Sequence, residues 1–132
     1  MFERSREPKF YYFSTRCARS KNIIYNMQIL KLNNFTKGWV VGDFEPSVIK
    51  TKDFEFAVQY FEAGEKHEKH VHKIAREITI IVEGEFLMNQ KKVIKGDVLI
   101  IEPNEAAEFE CLADGATAVI KTPSVVGDKY LV

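Results

Sequence analysis

Hydrophobic and polar residues alternate along much of the chain with a period of two, which is typical of β-strands. The pattern is clearest at Phe54, Phe56, Val58 and Tyr60, which fall on one face of an extended segment. Because successive side chains of a strand point to opposite sides, this spacing predicts a strand whose Phe54–Tyr60 face is buried.

Further short strands follow this one at close intervals. They are predicted at residues 70–72, 77–82, 85–88, 92–94, 98–101, 107–112 and 116–121. The predicted breaks between them contain residues that favour turns, namely Glu83-Gly84, Asn89-Gln90, Lys95-Gly96-Asp97, Pro103-Asn104 and Asp114-Gly115. No helix of three turns is predicted. Many short strands with this punctuation favour an all-β sandwich or barrel.

Composition narrows the class of protein. The 132 residues, 45% of them hydrophobic, suffice for one domain with its own core. The 19 basic and 19 acidic side chains cancel, so no global field favours nucleic acid or an anionic membrane. Cys17 and Cys111 lack metal or redox spacing and are expected to be reduced thiols. Without an apolar leader or membrane span, the predicted location is cytoplasmic.

The first 26 residues differ in character from the rest. Six Lys or Arg stand against two Glu, with Phe10-Tyr11-Tyr12-Phe13 between them. We expect an N-terminal extension at residues 1–26, containing a strand that covers a sheet edge or a partner subunit. A nucleic-acid arm is an alternative, since aromatic and cationic side chains suit single strands. Another is that Met27 is the natural start of the compact domain, predicted at residues 27–132.

Three residues form the candidate metal site. His70 and His72 are two positions apart, so on a strand both imidazoles project from the same face, and Glu77 opens the next predicted strand. Two imidazoles and a carboxylate suit Fe, Mn, Ni or Zn and leave coordination positions open. The alternative is a solvated loop, because Glu and Lys residues surround these histidines.

The same segment resembles the first motif of the cupin superfamily, G-x5-H-x-H-x4-E-x6-G. Every fixed position matches, at Gly64, His70, His72, Glu77 and Gly84. The resemblance implies a cupin double-stranded β-helix, a jelly-roll barrel, with the two histidines and the glutamate as metal ligands inside it. It also implies that Gly84 makes the turn to the next strand.

The second cupin motif, roughly G-x5-P-x-G-x2-H-x3-N, is degraded. Its glycine is matched by Gly96, and Asn104, a residue that tolerates a left-handed backbone, replaces the turn glycine. The histidine of the motif is missing: counting from Gly96 places Ala107 there, and counting from Pro103 places Glu108 there. We favour Ala107, and so three ligands. Weak or adventitious metal binding is the alternative.

Two further residues have open roles. His67 precedes His70 by three positions, so on a regular strand it lies on the opposite side and is predicted at the surface. An extra ligand or acid–base group is the alternative for His67. Trp39 is expected to fill the core, although stacking on a sugar at a pocket mouth also fits an aromatic residue.

The resemblance fixes fold better than function, because cupins carry many activities. The first hypothesis is an isomerase-, epimerase- or dioxygenase-like enzyme whose divalent metal binds a small polar, sugar-like metabolite. Candidate proton-transfer groups are Glu108, His67 and Tyr60. The second is a non-catalytic metabolite- or glycan-binding module with weak or no metal, and a nucleic-acid adaptor is the weakest. We expect a homodimer with a small-molecule ligand and no nucleic-acid or membrane partner.

Overall fold

A computed structural model describes residues 26–132 as an all-β fold. Most of the predicted N-terminal extension, including its strand and Cys17, lies outside the described residues. The strands are β1 (Trp39–Gly42), β2 (Ile49–Lys50), β3 (Glu55–Phe61), β4 (Lys66–Val71), β5 (Arg76–Met88), β6 (Lys91–Ile94), β7 (Val98–Ile101), β8 (Ala107–Thr122) and β9 (Tyr130–Leu131). Within residues 26–132 the only helical elements are two 3₁₀ turns, Leu32–Asn34 and Thr36–Gly38. The predicted all-β fold is confirmed for these residues.

The nine strands form one bent sheet organised around β8. One edge of β8 pairs with β3 and β4, and its other edge pairs with β5 along nearly its whole length. The order β2-β1-β3-β8-β4-β9 describes the main path, while β6 and β7 extend the sheet from β5. All these pairs are antiparallel except β1 with β2. No helix of the described part is long and apolar enough to cross a membrane.

The predicted breaks at Glu83-Gly84 and Asp114-Gly115 are wrong, because β5 and β8 both run through them. The two strands shift register three times between Ile81 and Phe86, so they bend together. At this bend the glycines touch: a Cβ on Gly84 would lie 2.6 Å from the Cα of Gly115. Gly84 has a φ of +89°, which also favours glycine. Both glycines therefore serve a bend within paired strands and not a turn between strands.

The remaining predicted breaks are turns. Asn89 and Gln90 have φ values of 49° and 65° and form the two-residue connection between β5 and β6. Such a pair of positive φ angles suits a tight antiparallel hairpin. Asn104 has a φ of 67°, which confirms that it adopts the left-handed backbone expected of a glycine substitute. The short strands β1, β2 and β9 were not predicted, since two to four residues are too few to show alternation.

The prediction of which face of β3 is buried is wrong. Ala57 and Glu55 are buried, whereas Phe54 and Tyr60 are 39% and 73% exposed. The buried carboxylate of Glu55 is tolerated because the Lys121 ammonium lies 2.7 Å from it and the Ser124 hydroxyl donates to it at 2.7 Å. A charge with partners can occupy the inner face, so hydrophobicity alone points to the wrong side.

Aromatic residues dominate the core at one end of the inner space. Phe86 stacks on Phe109 with ring centroids 4.8 Å apart, and Phe61 meets both rings edge-on or tilted. The free thiol of Cys111 is buried in the same cluster. Phe61 and Phe109 also line a cavity of about 980 Å³, so the core forms one wall of it.

Candidate metal centre

The three predicted ligands lie together in this cavity. His70 comes from the end of β4, His72 follows β4 directly, and Glu77 is the second residue of β5. Their ligand atoms all lie within 4.8 Å of one another, and all three residues line the cavity. Among residues 26–132 this is the one group of at least three His, Cys, Asp or Glu placed to hold a metal. Small side-chain rotations bring three such atoms within reach of a single ion.

Backbone carbonyls orient both imidazoles. The Nδ1 atom of His70 lies 2.8 Å from the carbonyl oxygen of Glu68, and Nδ1 of His72 contacts the carbonyl oxygen of Asp128. A carbonyl only accepts hydrogen bonds, so each Nδ1 carries the proton that it donates. The lone pair of each neutral ring is then on Nε2. In His72 this atom lies 3.1 Å from Oε2 of Glu77, to which it donates a hydrogen bond only when the ring is protonated. The hydrogen bond from Nδ1 to a carbonyl is the usual support of a metal-binding histidine.

Glu77 is held as a carboxylate. Its Oε2 lies 3.1 Å from Nε2 of His72, and the Thr79 hydroxyl donates to its Oε1 at 2.9 Å. Burial raises the pKa of Glu77, but the hydrogen bonds from His72 and Thr79 outweigh burial and leave the pKa lowered. The same contact with Glu77 raises the pKa of His72. Two oriented nitrogens and one ionised carboxylate fit a divalent ion of the Fe, Mn, Ni or Zn class.

Asp128 anchors the loop that joins the ligands. Its carboxylate accepts the backbone amides of Lys73, Ile74 and Ala75 at 2.9 to 3.3 Å. These amides are the connection between β4 and β5, so Asp128 fixes His72 relative to Glu77. Sequence reasoning missed Asp128. It lies 56 positions from His72 in a tail without alternation, and no local signal marks it.

The prediction that His67 lies on the opposite side of the strand from His70 is wrong. His67 pairs with Phe109 and His70 pairs with Ala107, so three residues of β4 oppose two of β8. This bulge turns His67 to the same side as His70. Its ring lies 5.5 Å from that of Phe61 and 5.3 Å from that of Phe109, at the cavity wall. The side chain is still solvent-exposed, because it stands at the open mouth.

The structure places Ala107 at the position of the missing fourth ligand. Ala107 is buried, lines the cavity and pairs with His70. Glu108 lies outside this cavity and accepts a hydrogen bond from the side-chain amide of Gln90 at 2.8 Å. Of the two residues that counting placed at this position, Ala107 therefore lines the cavity of the three candidate ligands and Glu108 does not.

Other cavity residues were missed or left open. Trp39 lines the cavity, with the Lys121 ammonium 4.7 Å from its ring centroid, so it is a wall residue and not a core plug. Lys121 and Thr79 were missed, and only Thr79 had a signal in the sequence. Thr79 is two positions from Glu77, and the two residues share one face of β5. Lys121 pairs directly with Glu77 across β5 and β8, a register that spacing alone does not reveal.

Solved structures resemble this architecture. An uncharacterized conserved protein with a double-stranded β-helix domain from Klebsiella pneumoniae matches with a TM-score of 0.61 at 18% identity. The match covers 82% of this chain and 98% of that one. An RmlC-like cupin from Shewanella frigidimarina matches with a TM-score of 0.54 at 22% identity, over 57% and 70% of the two chains. The chain has the cupin fold.

A third cupin-fold match is an enzyme. The DMSP lyase DddQ from Ruegeria pomeroyi has a TM-score of 0.60 at 20% identity. The match covers 71% of this chain but only 49% of the lyase. No family model matches the sequence, and no curated protein does. At these identities the likeness shows the fold alone, which confirms the resemblance found in the first motif.

Proposed function

We propose that this cupin binds a divalent metal on His70, His72 and Glu77 and acts on a small polar metabolite in the surrounding cavity. One observation carries the proposal: three candidate ligand side chains meet in one large cavity, and a backbone carbonyl binds Nδ1 of each imidazole, which leaves the Nε2 lone pair for a metal. A metal held there supplies a Lewis acid that polarises an oxygen of the metabolite.

The chain's own residues shape the rest of the site. Ala107 has no ligand atom, so the position paired with His70 on the neighbouring strand leaves room for a bound molecule. Thr79 fixes the carboxylate of Glu77 so that one oxygen remains directed to His72. The aromatic floor of Phe61 and Phe109 excludes water from one side. This arrangement allows a polar metabolite to enter from the mouth and meet the ligands at the wall.

His67 is the best-placed group to move a proton. It lines the cavity with the three ligands, whereas Glu108 does not. Partial burial of the His67 ring against Phe61 and Phe109 lowers its pKa, and the Lys129 ammonium lowers it further, so the ring is neutral and able to accept a proton at neutral pH. Tyr60 also lines the cavity but is 73% exposed. We assign proton transfer to His67.

A non-catalytic binding module is the second candidate. The 3.1 Å contact between His72 and Glu77 forms an ion pair when His72 is protonated, so these two side chains satisfy each other without any metal ion. In that case the cavity recognises a metabolite and metal is incidental. The two candidates differ in whether metal stays with the purified protein.

Elemental analysis of the purified chain tests this proposal. We expect near-stoichiometric Fe, Mn, Ni or Zn in the wild type and in His67→Ala, and trace metal in the His70→Ala/His72→Ala double variant. His67→Ala is the matched control, since it removes an imidazole from the same cavity but not a proposed ligand. Equal trace metal in all three proteins contradicts the metal site and favours the binding module.

A further inference from the structure

The cavity wall carries more cationic than anionic side chains. Four lysines and two glutamates line it: Lys31, Lys37, Lys121 and Lys129, and Glu65 and Glu77. One of the two carboxylates, Glu77, belongs to the metal site, where a bound divalent ion would outweigh its charge. The cavity therefore has an excess of positive charge although the whole chain is neutral.

Only one of the four lysines is neutralised by a carboxylate. Lys121 forms an ion pair with Glu55 at 2.7 Å and is 17% exposed. Lys31, Lys37 and Lys129 form no ion pair with any residue between 26 and 132. Lys92 and Lys95, which lie outside the cavity, do have Glu partners. Three ammonium groups that no carboxylate of the described residues neutralises therefore line this one cavity.

Lys37 and Lys129 lie close enough to the imidazoles of the cavity to interact with them electrostatically. The charge of Lys129 lowers the pKa of both His67 and His70, and the charge of Lys37 also lowers that of His67. Lys129 directly follows Asp128, whose carboxylate binds the β4–β5 loop, so its backbone is fixed beside the site. A concave wall with one sign of charge concentrates oppositely charged solutes.

We propose that the ligand of this cavity is a small, oxygen-rich anion. Its hydroxyl or carbonyl oxygens lie at the metal end, and its anionic group lies among Lys31, Lys37 and Lys129. The anionic group is a carboxylate or a phosphate, both of which lysine ammonium groups bind. The inference rests on the proposed function, because it assumes that the cavity around the three ligands is the binding site.

Three six-carbon polyols that differ at one end test the charge requirement. Sorbitol is neutral, gluconate carries a carboxylate, and sorbitol 6-phosphate carries a phosphate. Each is titrated calorimetrically into the full chain at matched ionic strength, with the metal content of every sample measured. We expect at least one anion to bind about tenfold tighter than sorbitol, and the tighter anion identifies the group. Equal Kd values, or no binding by any of the three, overturn the inference.

Paired lysine variants locate the effect. In Lys37→Gln/Lys129→Gln the Kd of the tighter anion is expected to rise about fivefold, with sorbitol unchanged, as two exposed charge interactions predict. The control, Lys52→Gln/Lys91→Gln, makes the same change in net charge outside the cavity. Equal losses in both variants overturn the inference. If the purified protein holds no metal but still prefers the anion in a lysine-dependent way, only the metal proposal is contradicted. If it holds metal but shows no such preference, only the anion proposal is contradicted.

Discussion

Asp128 and His72 are joined through the backbone carbonyl of Asp128, which accepts the Nδ1 proton of His72. The carboxylate of the same residue binds three consecutive amides of the loop that begins immediately after His72. One residue from the C-terminal segment thus sets both the ring orientation of a ligand and the path of the chain to Glu77. The proposed metal site depends on this segment as much as on the strands that carry the candidate ligands.

Replacing Asp128 by Asn tests that dependence. The amide group keeps the size of the carboxylate but has one acceptor oxygen and sets an NH₂ against the backbone amides. We expect metal affinity to fall about tenfold, as for other groups that support metal ligands. The unfolding free energy is expected to fall by about 1 to 3 kcal/mol, the cost of lost hydrogen bonds to a buried charge.

The matched control is Asp114→Asn. Asp114 also accepts a backbone amide, that of Ala63 at 2.8 Å, but it lies outside the cavity. Metal affinity is measured by competition with a chelator, and stability by urea unfolding. Unchanged metal affinity in Asp128→Asn, or equal losses of affinity in both variants, contradicts the role given to Asp128.

Asp128 also makes the unfolding free energy depend on pH in the acid range. Burial raises its pKa, but the amides of Ala75, Lys73 and Ile74 outweigh burial and lower the pKa below its ordinary value of 3.8. The unfolded chain therefore takes up this proton first as the pH falls. The stabilisation is complete above about pH 5 and is lost as the pH falls through the folded pKa.

Urea unfolding between pH 6 and pH 2.5 measures this loss. The wild type is expected to lose more stability over this range than Asp128→Asn, whose side chain does not titrate. Parallel curves for the two proteins show that Asp128 has the same pKa in the folded and unfolded states.

Ala107 offers a test by gain of function. Ala107→His places an imidazole where the second cupin motif has one, opposite His70 in the register. We expect metal affinity to rise at least tenfold, because a fourth ligand adds to the same ion. Glu108→His is the control, since position 108 lies outside the cavity. If the two variants bind metal equally, the assigned register of β8 is wrong.

We expect that Thr117 can be replaced by Val without loss of stability. Its hydroxyl is buried and has no hydrogen-bond partner among residues 26–132, and the residue lines the cavity. Thr117→Val keeps the shape and removes the unpaired oxygen, so thermal unfolding is expected at the same temperature or higher. Thr79→Val is the matched control, because the Thr79 hydroxyl binds Glu77 and its loss should destabilise the fold. A destabilised Thr117→Val shows that this hydroxyl has a partner.

Local patterns sufficed to predict most turns and to predict that the three candidate ligands lie together. His70, His72 and Glu77 lie within eight residues of each other, so strand geometry and a short connection suffice to bring them together. Non-local pairing decides the rest. The bulge at His67 and the bend at Gly84 depend on pairing with residues of β8 that lie 25 or more positions further along the chain. The inward side of β3 is set by Lys121 and Ser124, two partners that no period within β3 reveals.

Crystals grown with Mn²⁺ or Zn²⁺ and measured at the absorption edge of the ion test the central claim most directly. The account predicts one anomalous peak about 2.0 to 2.3 Å from Nε2 of His70, Nε2 of His72 and a carboxylate oxygen of Glu77. Retention of the 3.1 Å contact between His72 and Glu77 with no peak between the three side chains would contradict it.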